Sequence, residues 1–319
     1  MKSFALRALL LLAMACSWAG SQALAQGTSQ PQPITMIVSF PPGGLTDLVG
    51  RALAQEMSKA LKESVVVVNR AGASGVIGLQ AIASSPPNGL NFGFIVSAGL
   101  TVVPHLQSVP YSLDSFDYLC RAFDVPVYLL VTGDSRFKTL RELVAYAKAN
   151  PGKVNYATVG QGSLPHMAAL DLERAAGIRM NHVPYKGEGP AVIDLLGKHV
   201  DMLFGTNASA STHNLRRLAA ASETRNSESP EVPTMTELGY PVVWSIVGGA
   251  IAPKGMNPTA RARLADGCAA AASTPEYKQM LDKLKVVPKF ASGEAYYAQL
   301  IKDAGRNRVL LKEAGLVGQ

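Results

Sequence analysis

34-ITMIVSFPPGGLTDLVGRALAQEMSKAL-61 passes from a short, largely apolar run, Ile34 to Phe40, through Pro41-Pro42-Gly43-Gly44 into a second kind of pattern. Beyond the glycines, Leu48, Val49, Ala52, Leu53, Met57 and Leu61 recur at the three- and four-residue spacing of a helix with one buried face. Strand, glycine turn, helix is the reading. The next segments repeat it: the four valines 65–68 suit a strand buried on both faces, 69-NRAGASGVIG-78 leads into a helix through Ala83, and Phe92 to Val96 is a third strand. Three strands alternating with two helices make a βαβαβ half with a parallel sheet.

The alternation restarts after Asp117. Strands are expected at Val127–Val131, Val154–Ala157, Met180–Val183 and Val200–Phe204, with helices at Leu140–Ala149, Pro165–Ala176 and Pro190–Leu196. Thr139 and Glu142 form a capping box on the first of these helices, and Asn150-Pro151-Gly152 stops it. Leu215 to Ala221 is strand-like, and the polar stretch from Ser222 to Pro233 reads as a surface linker. The tail holds one strand, Val242–Ile251, and helices at Pro258–Ala272, Pro275–Leu284 and Glu294–Leu311, too few strands for a lobe of its own. The expected fold is therefore α/β with two lobes, each a mostly parallel sheet flanked by helices. The first lobe comprises residues 34–107 plus 223–319 and the second 108–222.

Composition agrees with a globular protein: of 319 residues, 48% are hydrophobic and 17% charged. Lys2 and Arg7 fall in the N-terminal stretch, leaving 28 basic against 23 acidic side chains beyond it, an excess too mild and dispersed for a nucleic-acid partner. That stretch has a basic start, an apolar run from Ala8 to Ala15 and the small-residue sequence Ala23-Leu24-Ala25, which is the layout of a secretory signal peptide over residues 1–25. A soluble periplasmic product is expected. Cys16 raises lipid attachment as an alternative, but Ala13-Met14-Ala15 before it lacks the leucine such signals usually carry. Cys120 and Cys268 then remain for an oxidising compartment, either as a disulfide or as two buried thiols. His105, His166, His182, His199 and His213 show no metal-ligand spacing, so neither a metal nor a cofactor is expected.

Three glycine turns, 41-PPGG-44, 72-GASG-75 and 160-GQGS-163, each follow a strand and precede a helix. Such turns gather at the carboxyl edge of an α/β sheet, where first-turn amides and the positive end of the helix dipole suit an anion. The spacing of Gly72, Gly75 and Gly78 is not the dinucleotide fingerprint, and no glycine-lysine-serine or glycine-lysine-threonine triplet supplies a P-loop. Ser163 with His166 suggests a hydrolase, yet the glycine-x-serine-x-glycine elbow is absent, and Ser163 reads better as a helix N-cap or ligand donor. Tyr185-Lys186 lacks the spacing of an acid–base pair. Asp47, at the first turn of its helix, is expected to hold the 41–44 loop in shape.

Taken together, 40-FPPGGLTD-47 with Arg51, 69-NRAGASGVIG-78, 150-NPGKVNYATVGQGSLPH-166, 183-VPYKG-187 and 231-EVPTMTELG-239 resemble the periplasmic solute-binding proteins of tripartite tricarboxylate transporters, the Bug-type receptors. The resemblance runs over nearly the whole chain beyond residue 25. It implies a two-lobed flytrap with a small carboxylate in the cleft, delivery to membrane permease subunits, and a monomer that is not an enzyme. Position by position it assigns the ligand to Phe40, Pro42, Gly43, Gly44, Thr46 and Asp47, to Ala73, Ser74 and Gly75, and on the other lobe to Gly160, Gly162, Ser163, His166 and Tyr185. The chain departs from the family at Ala71, where a proline is usual, and at Asn88-Gly89, where aspartate-glycine is commoner. An exported hydrolase of small carboxylates or esters is the alternative.

Overall fold

The computed structural model describes residues 32–226 and 229–317. The expected signal peptide lies outside the described residues. Strands β1 (Ile34–Val38), β2 (Val65–Asn69) and β3 (Asn91–Val96) pair in parallel, β1 in the middle, with Ile34 opposite Val65 and Thr35 opposite Asn91. Helix α1 (Leu45–Leu61) and helix α2 (Val76–Ala83) are their crossovers. Two short helices follow β3, α3 (Ala98–Thr101) and α4 (Val103–Leu106), neither evident in the sequence because a single turn has no period to read.

β4 (Phe116–Val131) is the element the sequence pattern understates: Val127 to Val131 is only its last part. Asp117, Arg121, Asp124 and Pro126 interrupt the apolar run, and a strand with several polar side chains has no clean alternation. Up to Pro126 it pairs antiparallel with β9 (Ser245–Pro253) and with β10 (Val287–Ser292). From Val127 it pairs antiparallel with β8 (Arg216–Ala221), and from Tyr128 with β7 (Met202–Gly205). Pro126, which has no N–H for a ladder, stands where β4 changes partners. The second parallel set, β5 (Asn155–Thr158) between β6 (Asn181–Pro184) and β7, completes a strand order of β2-β1-β3-β9-β4-β7-β5-β6, with β8 and β10 also on β4. The sheet is thus mixed. Each half keeps the expected parallel trio, and β4 and β9 add the antiparallel ladders.

The helices of the second half are α5 (Leu140–Ala149), α6 (Leu164–Ala176), α7 (Glu188–Leu196) and α8 (Asn207–Thr212). The last three are α9 (Pro258–Ser273), α10 (Pro275–Lys283) and α11 (Gly293–Glu313). Asn257 and Thr274 cap α9 and α10 ahead of a proline at the first helical position. Cys120 of β4 and Cys268 of α9, both fully buried, form a disulfide that pins α9 to the sheet. The stretch from Ser222 to Pro233 is not wholly a surface linker: Ser229 and Val232 are buried, the serine hydroxyl 3.1 Å from that of Tyr128. No described helix is long and apolar enough to cross a membrane.

Candidate functional site

The loop after β1 is braced from below. Asp47 is almost fully buried and its carboxylate accepts from the Gly43 amide (2.9 Å), Arg51 Nε (3.0 Å) and Asn69 Nδ2 (2.8 Å), while Asn69 also donates to the Phe40 carbonyl (2.9 Å). Burial alone would raise the Asp47 pKa, but the bonds from Arg51, Asn69 and Gly43 outweigh it and hold the carboxyl below its ordinary value. Asp47 therefore acts on the loop. Asn69, at the C-terminal end of β2, is a member of this brace that the sequence did not single out. Replacing Asp47 by alanine is expected to lower stability by about 2–3 kcal/mol, the scale of hydrogen bonds to a charged group. Urea unfolding of the variant checks this.

The engaged Gly43 amide leaves those of Gly44, Leu45 and Thr46 without an acceptor among the described residues, at the positive end of the α1 dipole. After β2, residues 72–75 all have positive φ: Gly72 at 137°, Ala73 at 47°, Ser74 at 55° and Gly75 at 95°. Left-handed backbone costs a non-glycine residue roughly 1–2 kcal/mol, so Ala73 and Ser74 hold a strained turn; the Gly75 amide closes it on the Gly72 carbonyl (3.0 Å), while those of Ala73 and Ser74 lack an acceptor among the described residues. Gly78 lets this turn settle on β1, because a Cβ there would stand 2.6 Å from Ser39 Cα.

On the other half, Gly160 to Ser163 is bonded mainly to itself. The Gly160 amide donates to Thr158 Oγ1, that of Gly162 to His166 Nδ1 (3.1 Å) and that of Ser163 to the Gly160 carbonyl. The Ser163 hydroxyl donates to Gly160 O (2.7 Å) and caps α6 by accepting from the His166 amide. Ser163 is therefore an N-cap whose hydroxyl is committed to the Gly160 carbonyl and the His166 amide, and no hydrogen bond joins it to an imidazole among the described residues. The Gly162 amide, on a residue assigned above to the ligand, is engaged by His166 Nδ1 in this structure. Tyr185, expected as a ligand donor, directs its hydroxyl to Asp194 (2.6 Å), and burial together with that bond raises its pKa to about 12.

Under the loop lies an aromatic stack. The His166 ring lies on His182 (4.1 Å between centroids), and His182 lies on Tyr156, its neighbour across the β5–β6 ladder. Burial pushes the His166 pKa down to about 3, helped by His182, whose own falls to about 4. Both rings stay neutral at neutral pH, which keeps His166 Nδ1 free to accept from Gly162. The unfolded chain takes up a proton on each near pH 6.5 while the folded chain does not. Stability is thus unaffected above about pH 6.5 and falls below it, by about 1.4 kcal/mol per pH unit for His166, until the folded-state pKa is reached. Urea unfolding between pH 7 and pH 4 should show a shallower pH slope in His166→Asn than in the natural protein.

The two loop sets are linked by the short helices after β3. A Cβ on Gly75 would lie 3.6 Å from the Phe40 ring, one on Gly99 would lie 3.5 Å from Ser74 O, and one on Gly162 would lie 2.6 Å from Leu106 Cδ1. Leu106 and Val102 are thus the meeting point with the second parallel trio, a role visible only in three dimensions.

Two parallel trios joined by crossing strands, with glycine loops at their carboxyl edges, define a two-lobed solute-binding protein of the periplasmic type. The profile of the tripartite tricarboxylate transporter family receptors matches residues 49–316, and the chain belongs to that family. BugT of Bordetella pertussis is 39% identical over 264 residues, covering 79% of this chain and 80% of BugT. The structure of the periplasmic binding protein BugD superposes with a TM-score of 0.79 at 32% identity, over 90% of this chain and 99% of BugD. MatC from Rhodopseudomonas palustris with bound malate has a TM-score of 0.77 at 24% identity, covering 88% of this chain and 98% of MatC, a likeness of fold. Receptors of the family are periplasmic solute-binding proteins.

Proposed function

We propose that the protein captures a small organic carboxylate between its lobes and delivers it to the membrane permease subunits of a tripartite tricarboxylate-type transporter. The observation that carries this reading is the set of open amides on Gly44, Leu45, Thr46, Ala73 and Ser74, on the two turns that follow β1 and β2. A micromolar receptor needs about −8 kcal/mol. Hydrogen bonds to a charged group contribute roughly 1.5–3 kcal/mol each, so these amides suffice even after ordering costs. The second lobe closes on the ligand with Gly160 to Ser163, held in shape by His166 and Tyr185. In this proposal the lobes divide within β4 at Pro126 and before β9 at Ser245, further along the chain than residues 108 and 223, because the β4–β9 ladder ends at the Pro126–Ser245 pair and β4 then turns to β8 and β7.

Malate held by MatC is consistent with the same ligand class. The hydrolase alternative loses its nucleophile, since Ser163 is turned toward Gly160. A thermal-shift screen of mono-, di- and tricarboxylates, run beside an ester-hydrolysis assay, tests the proposal. Stabilisation by a carboxylate without turnover is the expected outcome, and ester hydrolysis that disappears in Ser163→Ala would overturn it.

A further inference from the structure

A cavity of about 580 Å³ is walled by the crossing strands β4 and β9 and by α11, and reaches Leu164 at the start of α6, next to the 160–163 loop. None of the residues assigned above to the carboxylate lines it. Its walls carry polar groups whose partners are incomplete in two opposite senses. Asn307 is fully buried and the Asp124 side chain is 13% exposed, and Asp124 Oδ1 and Asn307 Oδ1 have no hydrogen-bond partner among the described residues. The Asn307 amide cannot be turned to cure this, because its Nδ2 donates to the Thr101 carbonyl, which can only accept (3.1 Å). Asp124 Oδ2 has a lysine, Lys289, at 3.4 Å, and the other oxygen has nothing. Each orphan acceptor calls for a donor.

The second imbalance is cationic. Arg121 donates to the Lys289 carbonyl (3.2 Å) and to Gln299 Oε1 (2.7 Å) but forms no ion pair among the described residues, although it is half-buried. Arg306, held over the Trp244 ring at 4.0 Å, donates to the Val243 carbonyl (3.3 Å) and pairs with Asp303 at 4.0 Å, so Arg121 is the guanidinium left without a carboxylate among the described residues. A guanidinium fixed in a polar recess without a carboxylate partner is a seat for an anion. An occupant that satisfies both sets carries a carboxylate for the guanidinium side and an N–H or O–H donor for the two oxygens.

We propose that this cavity is a second ligand site, for a small carboxylate that also carries an adjacent hydrogen-bond donor, either an ammonium or a hydroxyl group. Burying a polar group without a partner is destabilising, so the occupant gains from supplying the missing donors, and an analogue lacking them is discriminated against. The site is independent of the carboxylate proposed for the cleft, and it adjoins the strands that join the two lobes.

Trp244 lines the cavity and reports on it. The chain has one other tryptophan, Trp18 in the N-terminal stretch, so a Trp18→Phe protein isolates the signal. Titrating it with L-glutamate, 2-hydroxyglutarate and glutarate compares an ammonium donor, a hydroxyl donor and neither on the same carbon skeleton. A saturable change in Trp244 fluorescence is expected with at least one of the first two, at a concentration at least tenfold lower than with glutarate. Glutamate alone responding identifies the ammonium source, and 2-hydroxyglutarate alone the hydroxyl source. Asp124→Asn, which preserves shape and exchanges one acceptor for a donor, should weaken the response at least tenfold, as should Asn307→Leu. In the cleft variant Gly43→Val, whose added side chain meets nothing within 4 Å at Cβ, the response should persist. No saturable change with any of the three probes would leave only water in the cavity and overturn the proposal. So would a response lost in Gly43→Val but kept in Asp124→Asn, which would assign the signal to the cleft.

Discussion

Gly162→Val is expected to weaken carboxylate binding at least a hundredfold while leaving the protein folded. Gly162 has φ of 74°, a conformation that a β-branched residue resists, and its Cβ would come within 2.6 Å of Leu106 Cδ1 and 3.6 Å of Val102 Cγ1. Left-handed backbone costs roughly 1–2 kcal/mol and overpacking a further 1–3 kcal/mol, and a hundredfold in affinity is about 2.7 kcal/mol. Both penalties fall on the loop where the second parallel trio approaches α4, outside the two cores. Alanine at the same position should have a smaller effect, since a Leu side-chain end can yield to one methyl. Gly43 differs: its φ is 78° but a Cβ there meets nothing within 4 Å, so valine at Gly43 acts through backbone strain alone. Calorimetry on the variants, with circular dichroism for folding, should rank the loss as Gly162→Val above Gly162→Ala. Undiminished affinity in a folded Gly162→Val protein would remove this loop from the binding mechanism.

Removing the disulfide is expected to give the largest stability change of any single covalent alteration. Cys120 and Cys268 are 148 residues apart in sequence, and the chain-entropy account assigns a loop of that length about 5 kcal/mol. For a protein of this size such a loss corresponds to a fall of about 10–20 °C in melting temperature. The double variant Cys120→Ala/Cys268→Ala avoids leaving a buried thiol, and scanning calorimetry with and without reductant gives the comparison. The natural protein under reducing conditions should approach the variant, and thiol labelling of the denatured, unreduced natural protein should find neither Cys120 nor Cys268 free. Melting that is insensitive to both treatments would show that α9 is held by packing, chiefly against α1, rather than by the bond.

How far the sequence carries depends on the range of the interaction concerned. The βα units were legible because each rests on a local period. The valines 65–68, the helical spacing after Gly44 and the capped helix Leu140–Ala149 all announce themselves within a dozen residues. The glycine loops were legible for the same reason, and with the flanking signatures they carried the family. The unity of β4 was not, since its first half is recognisable as a strand only when β9 and β10 lie beside it, polar side chains included. Nor could spacing decide whether Cys120 and Cys268 pair.

The roles of individual site residues divide along the same line. That Asp47 braces its own loop followed from its place in the first helical turn, and the structure adds Asn69 from the neighbouring strand. That the amides of Gly160, Gly162 and Ser163 are already engaged, while those of Ala73 and Ser74 are open, depended on dihedral angles and on a histidine four residues away turning back to accept. The cavity between β4, β9 and α11 has no sequence signature, because its walls come from segments separated by more than a hundred residues. Local periodicity and turn chemistry are written in neighbouring residues. Strand partners, orphaned acceptors and the meeting of Gly162 with Leu106 exist only once distant segments have packed together.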